Sequence, residues 1–150
     1  MSAKLRVTPL DLDASAEAFA PLRLAAQAEG LRMVERLWDD WRSGANRFEA
    51  EGEALLGAWA GETLAGVGGL NIDPFARYAR VGRLRRFYVE PAHQRRGVGL
   101  ALVTAALARA WGHFDEVRLR TADPGADAFW RTCGFELWAD EDATHRRPIR

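Results

Sequence analysis

The chain has little cysteine, no excess of charge of either sign and no long apolar run. Its single cysteine, Cys133, cannot form an internal disulfide, and no Cys and His cluster offers a zinc site, so we expect a reducing cytoplasm and no metal. The 21 Lys and Arg residues balance 21 Asp and Glu residues, which argues against nucleic-acid binding through overall charge. No apolar run approaches the roughly 18 to 20 residues that span a bilayer, so we expect no membrane segment. Met1–Pro9 also lacks the apolar core of an export signal.

The composition is that of an ordinary folded domain. A chain of 150 residues, of which 48% are hydrophobic, can bury a core without a metal, a disulfide or a partner. It shows no internal repeat, low-complexity segment or long linker. We therefore expect one domain over residues 1–150.

Strand-like and helix-like patterns alternate along the chain. Apolar alternation and turn signals predict strands at Leu5–Leu10, Glu53–Ala60, Thr63–Ile72, Val81–Val89, Val117–Thr121, Phe135–Trp138 and Ala143–Arg147. Helical spacing predicts two helices between Ala16 and about Gly44 that are separated at Gly30, then Leu100–Trp111, and then Pro124–Thr132 with Asp123 at its start. This order indicates an α/β (α+β) fold.

The segment Gln94–Gly99 joins a predicted strand to an alanine-rich helix. Its two glycines allow the backbone to approach a ligand closely, and the free N–H groups of the following helix favour a pyrophosphate at the same point. A tight connection with solvated arginines is the alternative. The dinucleotide fingerprint fails because Leu102 stands where its third glycine belongs, and no Gly-Lys-Ser/Thr sequence occurs.

Two segments carry a family resemblance. Phe87–Pro91 followed by Gln94–Gly99 resembles the Q/R-x-x-G-x-G/A signature of the GNAT superfamily of N-acetyltransferases. Ala126–Phe135 resembles the second signature of that family, with Asp123 in the place of its usual Asn and Trp130 in the place of its usual Tyr. The resemblance implies a mixed, mostly antiparallel sheet of six to seven strands flanked by helices, with a splayed parallel pair around an acetyl-CoA site.

The resemblance also implies which residues bind acetyl-CoA. Backbone groups of the strand before the loop would pair with the pantetheine arm, and the loop would cradle the pyrophosphate. The residues that match these and the adjoining positions are Phe87, Tyr88, Val89, Gln94, Arg95, Arg96, Gly97, Val98, Gly99, Leu100, Asp123, Phe129 and Trp130.

The chemistry that the resemblance implies is direct acetyl transfer to an amine without a covalent enzyme intermediate. The amine must lose a proton, and the backbone N–H of Val89 or Tyr88 would stabilise the oxyanion. Tyr88 and Glu90 are the leading catalytic candidates. Further candidates, with ordered water able to relay the proton, are His93, Asp73 and Tyr78. Trp130 cannot deliver a proton as the usual Tyr would, and Arg118 stands where some members carry a Glu base.

The acceptor side is less determined by the sequence. By resemblance, Trp38 and Trp41 lie on it with Glu35, Asp39 and Asp40, which would suit a cationic amine or form a solvated helix face. Arg83, Arg85 and Arg86 would favour a carboxylate or phosphate if they point into the acceptor cleft. Alternation places Arg83 and Arg85 on one face of the strand and Leu84 and Arg86 on the other.

The function that follows is N-acetylation of a small or amino-acid-like amine by acetyl-CoA. The alternatives are acetylation of protein N-termini or lysines, a non-catalytic acyl-CoA sensor, and a different nucleotide-binding module. A homodimer is possible by analogy with the family. We expect Cys133 to be a core thiol and His113 and His145 to be surface residues. For Trp59, Trp111 and Trp138 we expect packing roles.

Overall fold

The computed structural model describes residues 4–140 and 142–149, which form a mixed sheet with helices on both faces. The seven strands of this part of the chain lie in the order β1-β2-β3-β4-β5-β7-β6. They are β1 Leu5–Pro9, β2 Ala54–Ala60, β3 Thr63–Ile72, β4 Val81–Val89, β5 Glu116–Leu119, β6 Glu136–Leu137 and β7 His145–Pro148. The helices are α1 Ala16–Ala28, α2 Met33–Ser43, α3 Val98–Ala110 and α4 Asp127–Thr132. All pairs are antiparallel except β4 with β5, which confirms the predicted fold class.

Helix α1 begins and ends where the local chemistry requires. The Asp11 carboxylate accepts the N–H groups of Asp13 and Ala14 at 2.8 and 3.3 Å, which turns the chain from β1 toward α1. Gly30, with φ of 73°, separates α1 from α2 as predicted. Gly44 ends α2 in the left-handed conformation.

The two faces of the sheet bury separate cores. On one face, α3 packs on the sheet through Leu102, Val103 and Ala106, together with Val117. On the other face, α1 and α2 bury side chains against β2, β3 and β4, including Tyr88. Neither face of β4 is free, and its side chains therefore belong alternately to the two cores.

The sheet splits between β4 and β5. Their parallel pairing covers three residue pairs, from Val81 with Glu116 to Arg83 with Arg118. Strand β4 then continues to Val89, whereas β5 ends at Leu119. The register against β3 shifts between Val67 and Gly69, which bulges β4 at this point.

Because of the bulge, Arg86 lies on the opposite face of β4 from the one that alternation predicts. Arg86 has φ of 63°, and its guanidinium reaches Asp40 of α2 at 3.7 Å, whereas Leu84 packs in the core on the α3 side. An extra residue in a bulged strand breaks the alternation, so Arg86 and Leu84 do not share a face.

Other predictions need smaller corrections. Helix α3 begins at Val98 rather than Leu100, and the Leu100 residue is 49% exposed. It ends at Ala110, so Trp111 lies beyond the helix and is 62% exposed rather than packed. The predicted helix Pro124–Thr132 is a 3₁₀ turn at Pro124–Ala126 followed by α4. Within the described residues, no helix is long and apolar enough to cross a membrane.

Candidate active site

A cleft of about 590 Å³ lies where β4 separates from β5. Its walls are the end of β4, the loop that follows, the first turn of α3 and helix α4. The residues that line it are Phe87, Tyr88, Val89, Gln94, Arg95, Gly97, Val98, Gly99, Leu100, Phe129, Trp130 and Thr132. All but Thr132 belong to the residues that the sequence predicts for cofactor binding.

The loop before α3 lines the cleft and leads directly into the helix. Arg95 and Gly97 both adopt left-handed conformations, with φ of 64° and 79°. Gln94 fixes the loop to the strand, since its side-chain amide donates to the Val89 carbonyl at 3.2 Å. The first backbone hydrogen bond of α3 runs from Ala101 to Gly97, and no side chain in the described chain caps the helix. The N–H groups before Ala101 and the helix dipole could therefore hold an anion.

The glycines leave room for a ligand beside the first N–H groups of α3. A Cβ at Gly97 would meet no atom within 4 Å. A Cβ at Gly99 would lie 3.5 Å from Phe129 and 3.9 Å from Val89, both of which line the cleft. Any side chain at Gly99 would thus occupy space in the cleft beside the first N–H groups of α3.

Trp130 packs at the base of the cleft. It is 9% exposed and meets Phe87, Phe129 and Phe135 edge to face, with ring centroids 6.0, 5.0 and 5.5 Å apart. Such contacts make the base of the cleft apolar and hold the indole in one orientation.

Two of the predicted cofactor residues lie outside the cleft lining. Arg96 is an exposed residue of the loop. Asp123 accepts the Gly125 N–H at 2.9 Å and so shapes the 3₁₀ turn before α4, which is the capping role that its position predicts.

Tyr88 joins β4 to the end of α1. Its hydroxyl is buried and donates to the carboxylate of Glu29, the residue that follows α1. Burial, and then the hydrogen bond and the negative charge of Glu29, raise the pKa of Tyr88 far above its usual value. The phenol is therefore neutral at physiological pH and cannot act as a base. The sequence did not reveal Glu29, because 59 residues separate it from Tyr88.

Glu90 and His93 lie next to each other after β4. Their side chains approach to 3.8 Å and are about one-quarter and one-sixth exposed. The Glu90 N–H donates to the Ala65 carbonyl at 2.9 Å, which anchors the end of the strand. Glu90 carries a carboxylate and directly follows the part of β4 that lines the cleft.

Asp73 and Tyr78 lie in the β3–β4 connection and contact arginines. The Asp73 carboxylate is buried 3.5 Å from the Arg83 guanidinium. The Tyr78 hydroxyl accepts from Arg118 at 2.7 Å. Arg118 also binds Glu116 at 2.5 Å and stacks on Trp138, which supports the packing role expected of that tryptophan. Neither candidate lines the cleft.

Most of the predicted acidic and aromatic wall is engaged within the fold. Glu35 binds Arg23 at 2.5 Å, which lowers the pKa of Glu35. The Trp38 ring stacks on Arg23 with the guanidinium carbon 4.6 Å from its centroid, and the Trp41 indole donates to Asp13 at 3.2 Å. These groups stabilise the α1–α2 pair before any acceptor binds.

His145 is buried, which corrects the prediction of a surface residue. Its Nε2 lies 2.7 Å from Asp127 of α4 and its Nδ1 lies 2.9 Å from the Thr144 hydroxyl. The pKa of Asp127 is lowered, first by Arg131 and then by His145. This chain of contacts fixes α4, and with it Phe129 and Trp130, to the start of β7. The alternation of β7 alone could not show that a helix covers this side chain.

Cys133 follows α4 and is 8% exposed, and burial raises the pKa of its thiol. This supports the interpretation of a core thiol. Among the described residues, no group of three or more His, Cys, Asp or Glu side chains could hold a metal ion.

Comparison with known proteins identifies a fold and a family. The model of the acetyltransferase (GNAT) family matches residues 17–135. A structure from Exiguobacterium sp. 255-15, assigned as an acetyltransferase, is 28% identical with a TM-score of 0.84, covering 97% of this chain and 93% of that chain. An acetyltransferase from Thermus thermophilus is 17% identical with a TM-score of 0.73 and coverage of 99% and 100%, a similarity of fold. Among curated proteins, none matches at a significant level.

Proposed function

Because the chain belongs to the acetyltransferase (GNAT) family, we propose that it transfers the acetyl group of acetyl-CoA to the primary amine of a small, amino-acid-like acceptor. The observation that carries this proposal is the cleft between β4 and β5, where an N-terminal helix turn with free N–H groups adjoins an apolar wall. A pyrophosphate joined to an extended, partly apolar arm needs both features.

The residues of the cleft fit acetyl-CoA, whose thioester supplies an activated acetyl group when bound. Backbone groups of Phe87 to Val89 would hold the pantetheine arm, and the N–H groups of Val98, Gly99 and Leu100 would hold the pyrophosphate. Arg95 lines the cleft and would add positive charge. Phe129 and Trp130 would exclude water from the apolar side.

The amine must be neutral before it attacks. An alkylammonium ion of pKa about 10 first loses one proton to a base, and the neutral amine nitrogen then forms a bond to the acetyl carbon. As the bond from the acetyl carbon to sulfur breaks, the nitrogen loses its second proton and the leaving thiolate takes up one proton. We assign Glu90, through ordered water, as the proton acceptor, because it follows the strand segment that lines the cleft. A backbone N–H of Val89 or Tyr88 would donate to the negative charge that develops on the acetyl oxygen.

Tyr88 enters this scheme as a positioning residue, because its hydroxyl donates its one proton to Glu29. Its hydroxyl is held by Glu29, and its raised pKa keeps the proton on the phenol. Tyr88 lines the cleft as well, so it would orient the reacting groups at the end of β4. As further parts of the proposal, the chain is a single domain and acts in the reducing cytoplasm, where the buried Cys133 thiol would stay reduced.

Thermal unfolding with acetyl-CoA, NAD or ATP tests the cofactor. A ligand at about 100 times its dissociation constant stabilises the native state by about 2.7 kcal/mol, and we expect the midpoint to rise by several degrees with acetyl-CoA alone. No rise with a folded protein would contradict the proposal. NAD or ATP acting equally well would indicate another nucleotide-binding module.

Release of CoA thiol in the presence of amines tests the reaction. We expect release that depends on small amines and falls when Glu90 is replaced by Gln. Faster release with peptides than with free amines would indicate protein acetylation. Tight binding of acetyl-CoA without any amine-dependent release would indicate an acyl-CoA sensor.

A further inference from the structure

The arginines of β4 gather on the side of the sheet that carries α1 and α2. Leu84 packs toward α3, so the alternating neighbours Arg83 and Arg85 face the opposite side. The bulge turns Arg86 toward α2 as well, where it meets Asp40. Burial lowers the pKa of both Arg83 and Arg86, and the charge of the nearby Arg85 lowers it further in each.

Two of these arginines have carboxylate partners and the third has none in the described chain. Arg83 lies 3.5 Å from Asp73 and donates to the Asp142 carbonyl at 2.6 Å. Arg86 lies 3.7 Å from Asp40. Arg85 is half-buried, and no carboxylate of residues 4–140 or 142–149 pairs with it. A half-buried cation between two others is costly unless an anion accompanies it.

The position of Arg85 relates it to the cleft. It precedes Phe87, which lines the cleft, by two residues along β4, and two residues of a strand span roughly 7 Å. The side chain therefore extends from the same strand that would hold the acetyl group, but on the face that carries α1 and α2. A group bound to Arg85 would approach this part of β4 from the face that carries α1 and α2.

We propose that Arg85 binds a carboxylate of the acceptor, so that the substrate is an amino acid or a similarly short amine with a carboxylate. This inference rests on the function proposed above. The guanidinium presents a planar pair of donors that matches both carboxylate oxygens, whereas Arg83 and Arg86 each already lie near a carboxylate, at 3.5 Å from Asp73 and 3.7 Å from Asp40.

The charge balance favours a carboxylate over a phosphate. One guanidinium without a carboxylate partner among the described residues matches one negative charge, whereas a phosphate carries about 1.5 to 2 negative charges at neutral pH. Arg36 of α2 also adds positive charge near Arg86, but its side chain is exposed to solvent, which weakens its influence.

Amino acids compared with their amides, and a variant that removes the charge of Arg85, test the proposal. CoA thiol release is measured with a panel of L-amino acids, the corresponding amino-acid amides and 2-aminoethylphosphonate, using the wild-type protein, Arg85→Gln and Arg85→Lys. Arg109→Gln is the matched control, because Arg109 is an exposed arginine of α3 on the opposite face of the sheet. Thermal unfolding with the same panel, in the presence of CoA, measures binding without turnover.

We expect the best amino acid to exceed its amide in kcat/KM by about 10- to 100-fold, which is the range for a charged hydrogen-bonding pair. Arg85→Gln should abolish this ratio, Arg85→Lys should keep part of it, and Arg109→Gln should leave it unchanged. Equal rates for acid and amide in the wild type, or an unchanged ratio in Arg85→Gln, would overturn the carboxylate assignment while leaving acetyl transfer intact. A preference for the phosphonate would also overturn it.

The binding measurement separates this proposal from the proposed function. If no amine releases CoA, a midpoint rise that requires both the carboxylate and Arg85 would support the anion site while the transfer reaction fails. No release and no such rise would overturn both.

Discussion

Replacement of Gly99 by alanine should stabilise the protein and weaken its binding of acetyl-CoA. Gly99 lies in the first turn of α3 with ordinary negative φ, and the new methyl group would make normal contacts with Phe129 at 3.5 Å and Val89 at 3.9 Å. Alanine in place of glycine stabilises a helix interior by roughly 0.8 to 1 kcal/mol, and we expect about 0.5 kcal/mol in this terminal turn. For a domain of this size, that raises the midpoint by about 1 to 2 °C.

The same methyl group would stand in the cleft. It would keep the pyrophosphate from the backbone N–H groups and remove at least one charged hydrogen bond, which corresponds to about a 10- to 100-fold loss of acetyl-CoA affinity. Gly97→Ala is the informative comparison. Gly97 has φ of 79° and nothing within 4 Å of a new Cβ, so alanine there should cost about 1 to 2 kcal/mol in backbone strain.

Thermal unfolding with and without acetyl-CoA measures both effects. Gly99→Ala should begin from a higher midpoint and gain less from the ligand, whereas Gly97→Ala should begin from a lower one. Wild-type affinity in Gly99→Ala would refute the assignment of the first turn of α3 as the pyrophosphate site. A lower midpoint for the free Gly99→Ala protein would refute the packing that we describe.

Two further substitutions test the contacts around the cleft. Tyr88→Phe removes a hydrogen bond to an exposed carboxylate, so we expect a loss of about 1 kcal/mol in the free energy of unfolding. An alkaline absorbance titration should also lose a step above the usual tyrosine pKa of about 10, and a wild-type curve without such a step would contradict the buried phenol. The pKa of Asp127 is lowered in the folded state, so its stabilisation is present above the unfolded pKa of about 3.9 and is lost as pH falls below it. Asp127→Asn should flatten the acid limb of a stability profile, and an identical limb in both proteins would contradict the contacts with Arg131 and His145.

The sequence predicted the elements of the fold because its signals are local. Gly30 separates two helices, and the Gly61-Glu62 turn joins β2 to β3, as short-range chemistry requires. The loop before α3 could be predicted for the same reason, since its glycines and the start of the following helix lie within a few residues of each other.

The parts that the sequence could not predict depend on long-range contacts. The bulge that redirects Arg86 arises where β3 and β4 change register, and no residue of β4 alone specifies it. Glu29 meets Tyr88, and Asp127 meets His145, only after the sheet and helices assemble. The same holds for Trp111, which the helical pattern included but which lies past the last turn of α3.

The short pairing of β4 with β5 gives this sheet an edge in its interior. Beyond Arg83 and Arg118, one rim of β4 has no neighbouring strand in the part of the chain that the structure describes, so we expect its peptide groups to exchange with solvent although the strand is central. A bound molecule lying along that rim would act as a missing eighth strand and join the two halves of the sheet. Amide hydrogen exchange along β4 would then measure, residue by residue, whether a molecule is bound along this rim. The measurement does not depend on the reaction that the bound molecule undergoes.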